Sequence, residues 1–365
     1  MRILSLSHDP LPDMRVEKAA YTAKKGGHTV FFAGPQVHGF GFPVKTFKKT
    51  YSIPFNRKAN LKIPPYWKRL KKSLKKVISD CKPDLIHAHN FVAGKLACEV
   101  GIPFVYDDHE YWSISSKAKK KTKLYHIFSH PYKEWLTKKW EKEILEKASA
   151  IITTAETVAK EHRNYNNHVF VVPNFPSLTE SKTIKINEVK TKHLSSVYLG
   201  NDLSQPHPQS YRNVTGLTKI FKQNKVGTLT IIGDNKLSAR QPIISLGFLP
   251  HQEMMNELTK HHIGLLPWKK HWLHKYKDPN KPYEYAHAGL LTLSISDMTN
   301  VLNNIKDKQI IKTFDDYGDL LELLTYYKDN LEELTTMKQK IRNYAHKNLI
   351  WENNEPKILE AYSTT

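Results

Sequence analysis

Apolar residues in this chain fall into short runs separated by amphipathic stretches, and the two periods alternate. Runs rich in Val, Ile and Leu at 3–7, 28–33, 84–88, 103–107, 150–154 and 169–172 predict strands. A helix over 15–25 separates the first two and ends at Gly26 and Gly27, small residues that suit a helix stop. Strands that alternate with helices in this order predict a parallel sheet with helices on both faces.

The alternation breaks where Pro173, Asn174, Phe175 and Pro176 read as extended chain, and a polar stretch runs on through Lys192. It then resumes, with strands expected at 196–199, 228–232, 244–248, 263–267, 290–294 and 309–313 and helices at 251–260 and 283–288. Two consecutive doubly wound α/β domains are the simplest architecture, over 1–180 and 193–345, with 346–365 as a closing segment. The tail from 317 to 362 reads as helical, broken near 353–356, with Leu320, Leu321, Leu324 and Tyr327 on one face. A length of 365 residues and a hydrophobic share of 39% fit two globular cores.

Ligands of doubly wound sheets sit beyond the carboxyl ends of the strands, so the residues after each strand are the ones to weigh. Asp108, His109, Glu110, Tyr111 and Trp112 follow one strand, and His109 could donate a hydrogen bond or carry charge beside a reacting centre. The same group also reads as a polar loop cap. His89 and Asn90 follow another strand, and His87 and His89, two apart, share one strand face. In the second half Gly200 and Asn201 end a strand, as do Gly233 and Asp234, where glycine allows close backbone approach. Arg212 is the strong cation of the following polar loop, able to grip a diphosphate through two parallel hydrogen bonds, or a plain surface arginine.

The segment from Asp278 to Gly289 carries the most information. It joins a polar loop (Asn280, Lys281) to a helix bearing one acid, Glu284, beside Tyr285, and then to an apolar strand. A helix start can hold phosphate, and a carboxylate is the usual partner of a ribose diol, so this stretch could grip both halves of a nucleotide.

Net charge is +21, from 56 Lys and Arg against 35 Asp and Glu, which predicts an anionic partner. Two stretches concentrate it. Residues 66–78, with lysines from Lys68 to Lys76, form a basic amphipathic helix with Leu70, Leu74, Val77 and Ile78 as its stripe. Lys117 to Lys123 precede a run of aromatics that includes Tyr125, Phe128, Tyr132 and Trp135. Both suit an anionic membrane surface. No nucleic-acid-binding module accompanies them, so nucleic acid is not the expected partner. There is no apolar run of about 18 residues and no long apolar core at the start, and Cys81 and Cys98 read as reduced thiols of a cytosolic protein. Dinucleotide and P-loop glycine motifs, an Asp-x-Asp pair, a zinc-protease motif and cysteine clusters are all missing from the sequence. The expected chemistry therefore uses neither cofactor nor metal.

Taken in order, several segments resemble a known family. Lys82-Pro83-Asp84-Leu85-Ile86-His87-Ala88-His89, then Pro103 through Tyr106-Asp107-Asp108-His109-Glu110, then Ala148 to Thr153, Val172-Pro173-Asn174, and finally Pro279-Asn280-Lys281 with Glu284-Tyr285 and Gly289 are similar to the segments of retaining GT-B glycosyltransferases close to family 4. The resemblance runs over nearly the whole length. It implies two Rossmann-like domains facing across a cleft, a nucleotide-sugar donor held mainly by the second, and metal-free transfer of a hexosyl group with retention. It also implies that Glu284 binds the ribose hydroxyls, that Asn280 and Lys281 hold the diphosphate, that His109 lies near the donor sugar, and that the end of the chain crosses back to the first domain.

Some positions depart from the family's pattern. Tyr276 stands eight residues before Glu284, where many members have a second glutamate. His8-Asp9-Pro10 replaces a glycine-rich loop, and Arg212 has no evident lysine partner unless Lys281 serves. The resulting expectation is a cytoplasmic glycosyltransferase, peripheral at the membrane, acting on a lipid-linked or cell-envelope glycan acceptor. A nucleotide-sugar epimerase and a non-catalytic binding protein of the same fold are the alternatives.

Overall fold

The computed structural model describes residues 1–55, 64–117, 124–181, 184, 193–201, 203, 209–212, 214–237 and 240–364. The chain forms two compact units. One is made of Met1–Lys117, Lys121–Pro173 and Asn354–Thr365, and the other of Asn174–Asn353.

The first unit strings together β1 (Arg2–Ser7), α1 (Met14–Lys25), β2 (Thr29–Gly34), β3 (Lys49–Ser52), α2 (Pro64–Cys81), β4 (Leu85–His89), α3 (Asn90–Ala97), β5 (Phe104–Asp108), α4 (Trp112–Lys117), α5 (Leu124–Lys147), β6 (Ala150–Thr153), α6 (Glu156–His162) and β7 (Val169–Val171). Its strands pair in parallel in the order β3-β2-β1-β4-β5-β6-β7. The order reverses between β1 and β4, where Ser5 lies opposite His87 and Ser7 opposite His89. Every residue of β4 and β5 is buried, as expected for strands covered on both faces. Leu70, Leu74 and Val77 of α2 pack with Leu4, Ile86, Leu96 and Tyr106 in the core, so the apolar stripe of that helix faces the sheet. Lys68, Arg69, Lys72, Lys75 and Lys76 stay exposed. The other basic stretch falls largely on residues 118–123, outside the described ones.

Asp13 starts α1 by accepting the amides of Arg15 (3.0 Å) and Val16 (3.2 Å). That cap fixes the angle at which Arg15 enters the protein. The last helix, α14 (Glu355–Ser363), belongs to this unit, and its Glu355 accepts from Thr22 and Lys25 of α1.

The second unit continues with α7 (Leu178–Ser181), β8 (Ser195–Leu199), α8 (Leu217–Asn224), β9 (Thr228–Ile232), β10 (Ile243–Gly247), α9 (His251–Leu258), β11 (Ile263–Leu266), α10 (Lys281–His287), β12 (Leu291–Ile295), α11 (Thr299–Asn304), β13 (Ile311–Phe314), α12 (Tyr317–Asp329) and α13 (Leu331–Asn348). Its parallel sheet has the order β10-β9-β8-β11-β12-β13 and reverses between β8 and β11. Both units thus have the Rossmann-like doubly wound form read from the alternation.

Some boundaries differ from that reading. Residues 174–181 belong to the second unit, not to a first domain ending at 180. Asn174 is tied there by its amide to Asp278 (3.2 Å), and the amide of Leu178 donates to Glu352 (2.9 Å). The closing segment changes unit at Asn354, not at 346, because α13 runs on to Asn348 and Trp351 donates its amide to Pro176. The tail is also broken a second time, at Asn330 between α12 and α13.

Candidate functional site

In the first unit, β1, β4 and β5 end beside the reversal of strand order, the place where such sheets bind ligands. The period-2 alternation of β4 puts His87 and His89 on one face with ring centroids 4.1 Å apart. Asp107, the partner of His89 across the ladder, faces them. Its Oδ2 lies 3.6 Å from His87 Nε2, 3.4 Å from His89 Nδ1 and 3.5 Å from His109 Nε2. His89 Nδ1 and His109 Nε2 are 3.3 Å apart, within hydrogen-bond reach, so one ring donates and the other accepts. Tyr362 Oη meets His87 Nδ1 at 2.9 Å, and Ser5 Oγ meets His89 Nε2 at 3.0 Å.

Arg15 closes the group from α1. Its Nη2 and Nε both donate to Asp107, at 2.8 Å to Oδ1 and 3.1 Å to Oδ2. Burial alone would raise Asp107. The Arg15 guanidinium and the His109 ring outweigh it and hold the carboxyl well below the usual carboxylate range. Burial lowers the basicity of both His87 and His89, with Asp107 offsetting part of the effect. His109 is the member that meets solvent, with its side chain 15% exposed, whereas those of His89 and Asp107 are at 0%. The expected strand-end site at His109 is therefore a half-buried imidazole backed by a buried polar network.

Its neighbours do other work. Asp108 accepts from His162 of α6 (2.8 Å) and from Tyr106 (2.9 Å), which pins β5 to a helix. Trp112 stacks on Phe91. Asn90, at φ +68, donates to Asp9 (3.3 Å), so the His8-Asp9 loop is held to the end of β4.

In the second unit, Trp268 follows β11 and is 5% exposed. The Arg212 guanidinium carbon and the Lys281 ammonium each lie 5.1 Å from the centre of its ring system. The two cations expected to act on a diphosphate are thus both set on one indole, with Lys281 also 6.0 Å from the Tyr198 ring.

Glu284, in the first turn of α10, is 5% exposed. Its Oε1 accepts from Asn280 Nδ2 at 2.8 Å and lies 3.7 Å from His251 Nε2. His251 is also 3.8 Å from the buried Glu180, so one imidazole stands between two carboxylates. His251 and Trp268 are the residues that sequence reasoning missed. Both directly follow a turn or strand end, which is the one signal that could have singled them out.

Several expectations need correction. Tyr285 is packed into the core of the second unit. It is fully buried, its hydroxyl donates to Leu265 (3.0 Å) and accepts from the Leu199 amide (3.1 Å), and its ring fills the space where a Cβ on Gly264 would lie, 2.2 Å away. Asp234 is 2% exposed and caps its own turn by accepting the Lys236 amide (3.1 Å). Gly233 (φ +113) and Gly200 approach each other: a Cβ on Gly233 would stand 3.2 Å from the Gly200 carbonyl. Asn201 is exposed beside them.

The start of α10 is also a poorer anion site than expected. Pro282 has no N–H, and the amides of Tyr283 and Glu284 both donate to Asn280 O (3.0 Å each). Tyr276 lies in a 3-10 turn, His274–Tyr276, half-buried beneath Lys275.

Residues 16–179 match the model of Glycosyltransferase Family 4. That match covers less than half of the chain. Solved structures extend the likeness over both units. Sucrose-phosphate synthase from Thermosynechococcus elongatus is 12% identical with a TM-score of 0.72, covering 100% of this chain and 98% of that one. WaaG, a glycosyltransferase involved in lipopolysaccharide biosynthesis, is 13% identical with a TM-score of 0.68, covering 98% and 99%. Anabaena HepE in complex with UDP is 12% identical with a TM-score of 0.66, covering 100% of both chains. No curated protein matches the chain by sequence. Over both units the chain has the fold of these structures, two Rossmann-like α/β domains.

Proposed function

We propose that the protein transfers a hexosyl group, with retained anomeric configuration, from a nucleoside-diphosphate sugar to a lipid-linked or cell-envelope glycan acceptor. The observation that carries this reading is the cation pair on Trp268. Arg212 and Lys281 are set 5.1 Å from one indole, and Glu284 lies on the same short helix as Lys281. Two fixed cations can neutralise a leaving diphosphate without a metal ion. Asn280 and His251 both address Oε1 of Glu284, which leaves Oε2 for a ribose hydroxyl. His109 would act on the donor sugar, steadied from behind by His89 and Asp107.

UDP-sugars are the first donors to try, since HepE was solved with UDP. The basic face of α2, with Lys68, Lys72, Lys75 and Lys76 exposed, supports work at an anionic membrane surface. No helix among the described residues is long and apolar enough to cross a membrane.

The test begins with a thermal-shift panel of nucleoside diphosphates and nucleotide sugars, then measures donor hydrolysis and transfer with the best ligand. Lys281→Ala and Arg212→Ala should each lower turnover by about tenfold or more. Unchanged rates in both would overturn the assignment. Conversion of the donor without any acceptor would mark an epimerase instead, and binding with no turnover of any donor a non-catalytic protein.

A further inference from the structure

The polar group at the end of β4 and β5 has a further feature. His87, His89 and Asp107 are all buried and each offers one ligand atom, and these atoms all lie within 4.8 Å of one another. We propose that His87 Nε2, His89 Nδ1 and Asp107 Oδ2 form a binding site for a divalent transition ion of the zinc class.

Three observations carry this. The first is spacing. Asp107 Oδ2 lies 3.6 Å and 3.4 Å from the two imidazole nitrogens. Ligands bonded to zinc at about 2.0–2.1 Å in a tetrahedron stand about 3.3–3.4 Å from each other. The second is the outer shell. Each ring's remote nitrogen is held by a hydroxyl, Tyr362 Oη for His87 (2.9 Å) and Ser5 Oγ for His89 (3.0 Å). Such contacts fix the orientation of metal-binding histidines and choose which nitrogen presents its lone pair. The third is an unmet need. His87 Nε2 is buried and has no hydrogen-bond partner. It faces Asp107 Oδ2 at 3.6 Å, and an ion there would replace the 3.3 Å contact that His89 Nδ1 makes with His109 Nε2.

Two imidazoles and one carboxylate form a donor set suited to zinc and its neighbours, not to calcium or magnesium. Arg15 holds Oδ1 and reaches Oδ2 at 3.1 Å, so the ion shares that carboxylate with a guanidinium and binds less tightly than in a closed structural site. The site lies within the first unit and is not offered as the counterion of a donor diphosphate.

The experiment titrates the full chain with Co²⁺, follows its visible absorption and displaces it with Zn²⁺. The expected result is one tightly bound equivalent with the strong bands of a low-coordinate nitrogen and oxygen site. His87→Gln should abolish those bands. Tyr362→Phe, which removes only the outer hydroxyl, should weaken the affinity by about tenfold to a hundredfold. Far-UV circular dichroism checks that each variant is folded, and if His87→Gln is not, Tyr362→Phe carries the decision alone. The chain has 19 histidines, so adventitious surface binding is a real rival. Absence of bands in the wild-type chain overturns the proposal and leaves a shared proton as the group's occupant. Binding that survives in the folded variants at equal strength overturns it in favour of surface histidines.

Discussion

Asn280 Nδ2 donates to Glu284 Oε1 at 2.8 Å, one helical turn away across the start of α10. The amide restrains the acid whose partner, in the reading above, is a ribose. A restrained carboxylate loses less freedom when a ligand arrives, and the contact favours ligands whose sugar hydroxyls are intact. Glu284→Ala should lower kcat/KM by about tenfold or more and erase any preference for a nucleoside diphosphate over its 2′-deoxy form. Asn280→Ala should cost less and keep the preference. Steady-state kinetics and calorimetric titration with the paired nucleotides check both. A Glu284→Ala protein that still discriminates would remove the acid from the ribose site.

Trp268 makes a separate prediction because it touches both cations. Trp268→Leu keeps an apolar side chain yet removes the ring face under Arg212 and Lys281. Each cation–π contact is worth about 0.5–2 kcal/mol. The variant should weaken nucleoside-diphosphate binding by about tenfold while weakening that of the matching nucleoside, which has no phosphates, much less. A parallel loss for nucleoside and diphosphate would show that the indole serves the base or the fold, not the cations.

The two sheets were legible from period and order because buried parallel strands read as short apolar runs. β4 and β12, buried at every position, are clear examples. β3 was not legible: Lys49–Ser52 is an edge strand whose side chains are mostly exposed, so no hydrophobic signal marks it. His109, Lys281, Arg212 and Glu284 stood out by position after strands or at a helix start. Trp268 and His251 did not, since their role depends on what the fold brings beside them. Tyr285 misled for the reverse reason. It sits one residue from Glu284 in sequence, but the turn of α10 carries its ring into the core against Gly264.

His261 and His262 predict acid sensitivity. Burial, then the ammonium of Lys338, pushes them down to about 3 and about 4 from an ordinary 6.5. The unfolded chain therefore binds more protons than the folded one between those values. Stability is present in full above pH 6.5 and is lost as pH falls toward 4, by on the order of a few kcal/mol. Urea unfolding at several pH values from 7.5 to 4.5 should show the midpoint falling. His262→Asn, which can still accept the Ser195 amide that His262 Nδ1 accepts at 3.1 Å, should flatten that slope. An unaltered slope would place the acid sensitivity elsewhere.

Glu141 of α5 has the opposite sign. It is 4% exposed and accepts the Ser113 amide at 3.2 Å, and burial, followed by the charge of Asp108, pushes it up to about 7. The folded state here binds the extra proton between the ordinary 4.5 and about 7. Its stabilising share is complete below pH 4.5 and is lost as pH rises through 7, where the folded protein must hold a buried carboxylate. Glu141→Gln keeps an acceptor for Ser113 and never ionises. Compared with wild type at each pH, so that the histidine effects cancel, the variant should gain stability between pH 5 and pH 8 by about 1–3 kcal/mol. Chemical unfolding of the two proteins side by side measures that difference. A gap that stays constant across the range would mean that Glu141 does not change its charge there, and that the hydrogen bonds of Ser113 and the charge of His162 hold it ionised throughout.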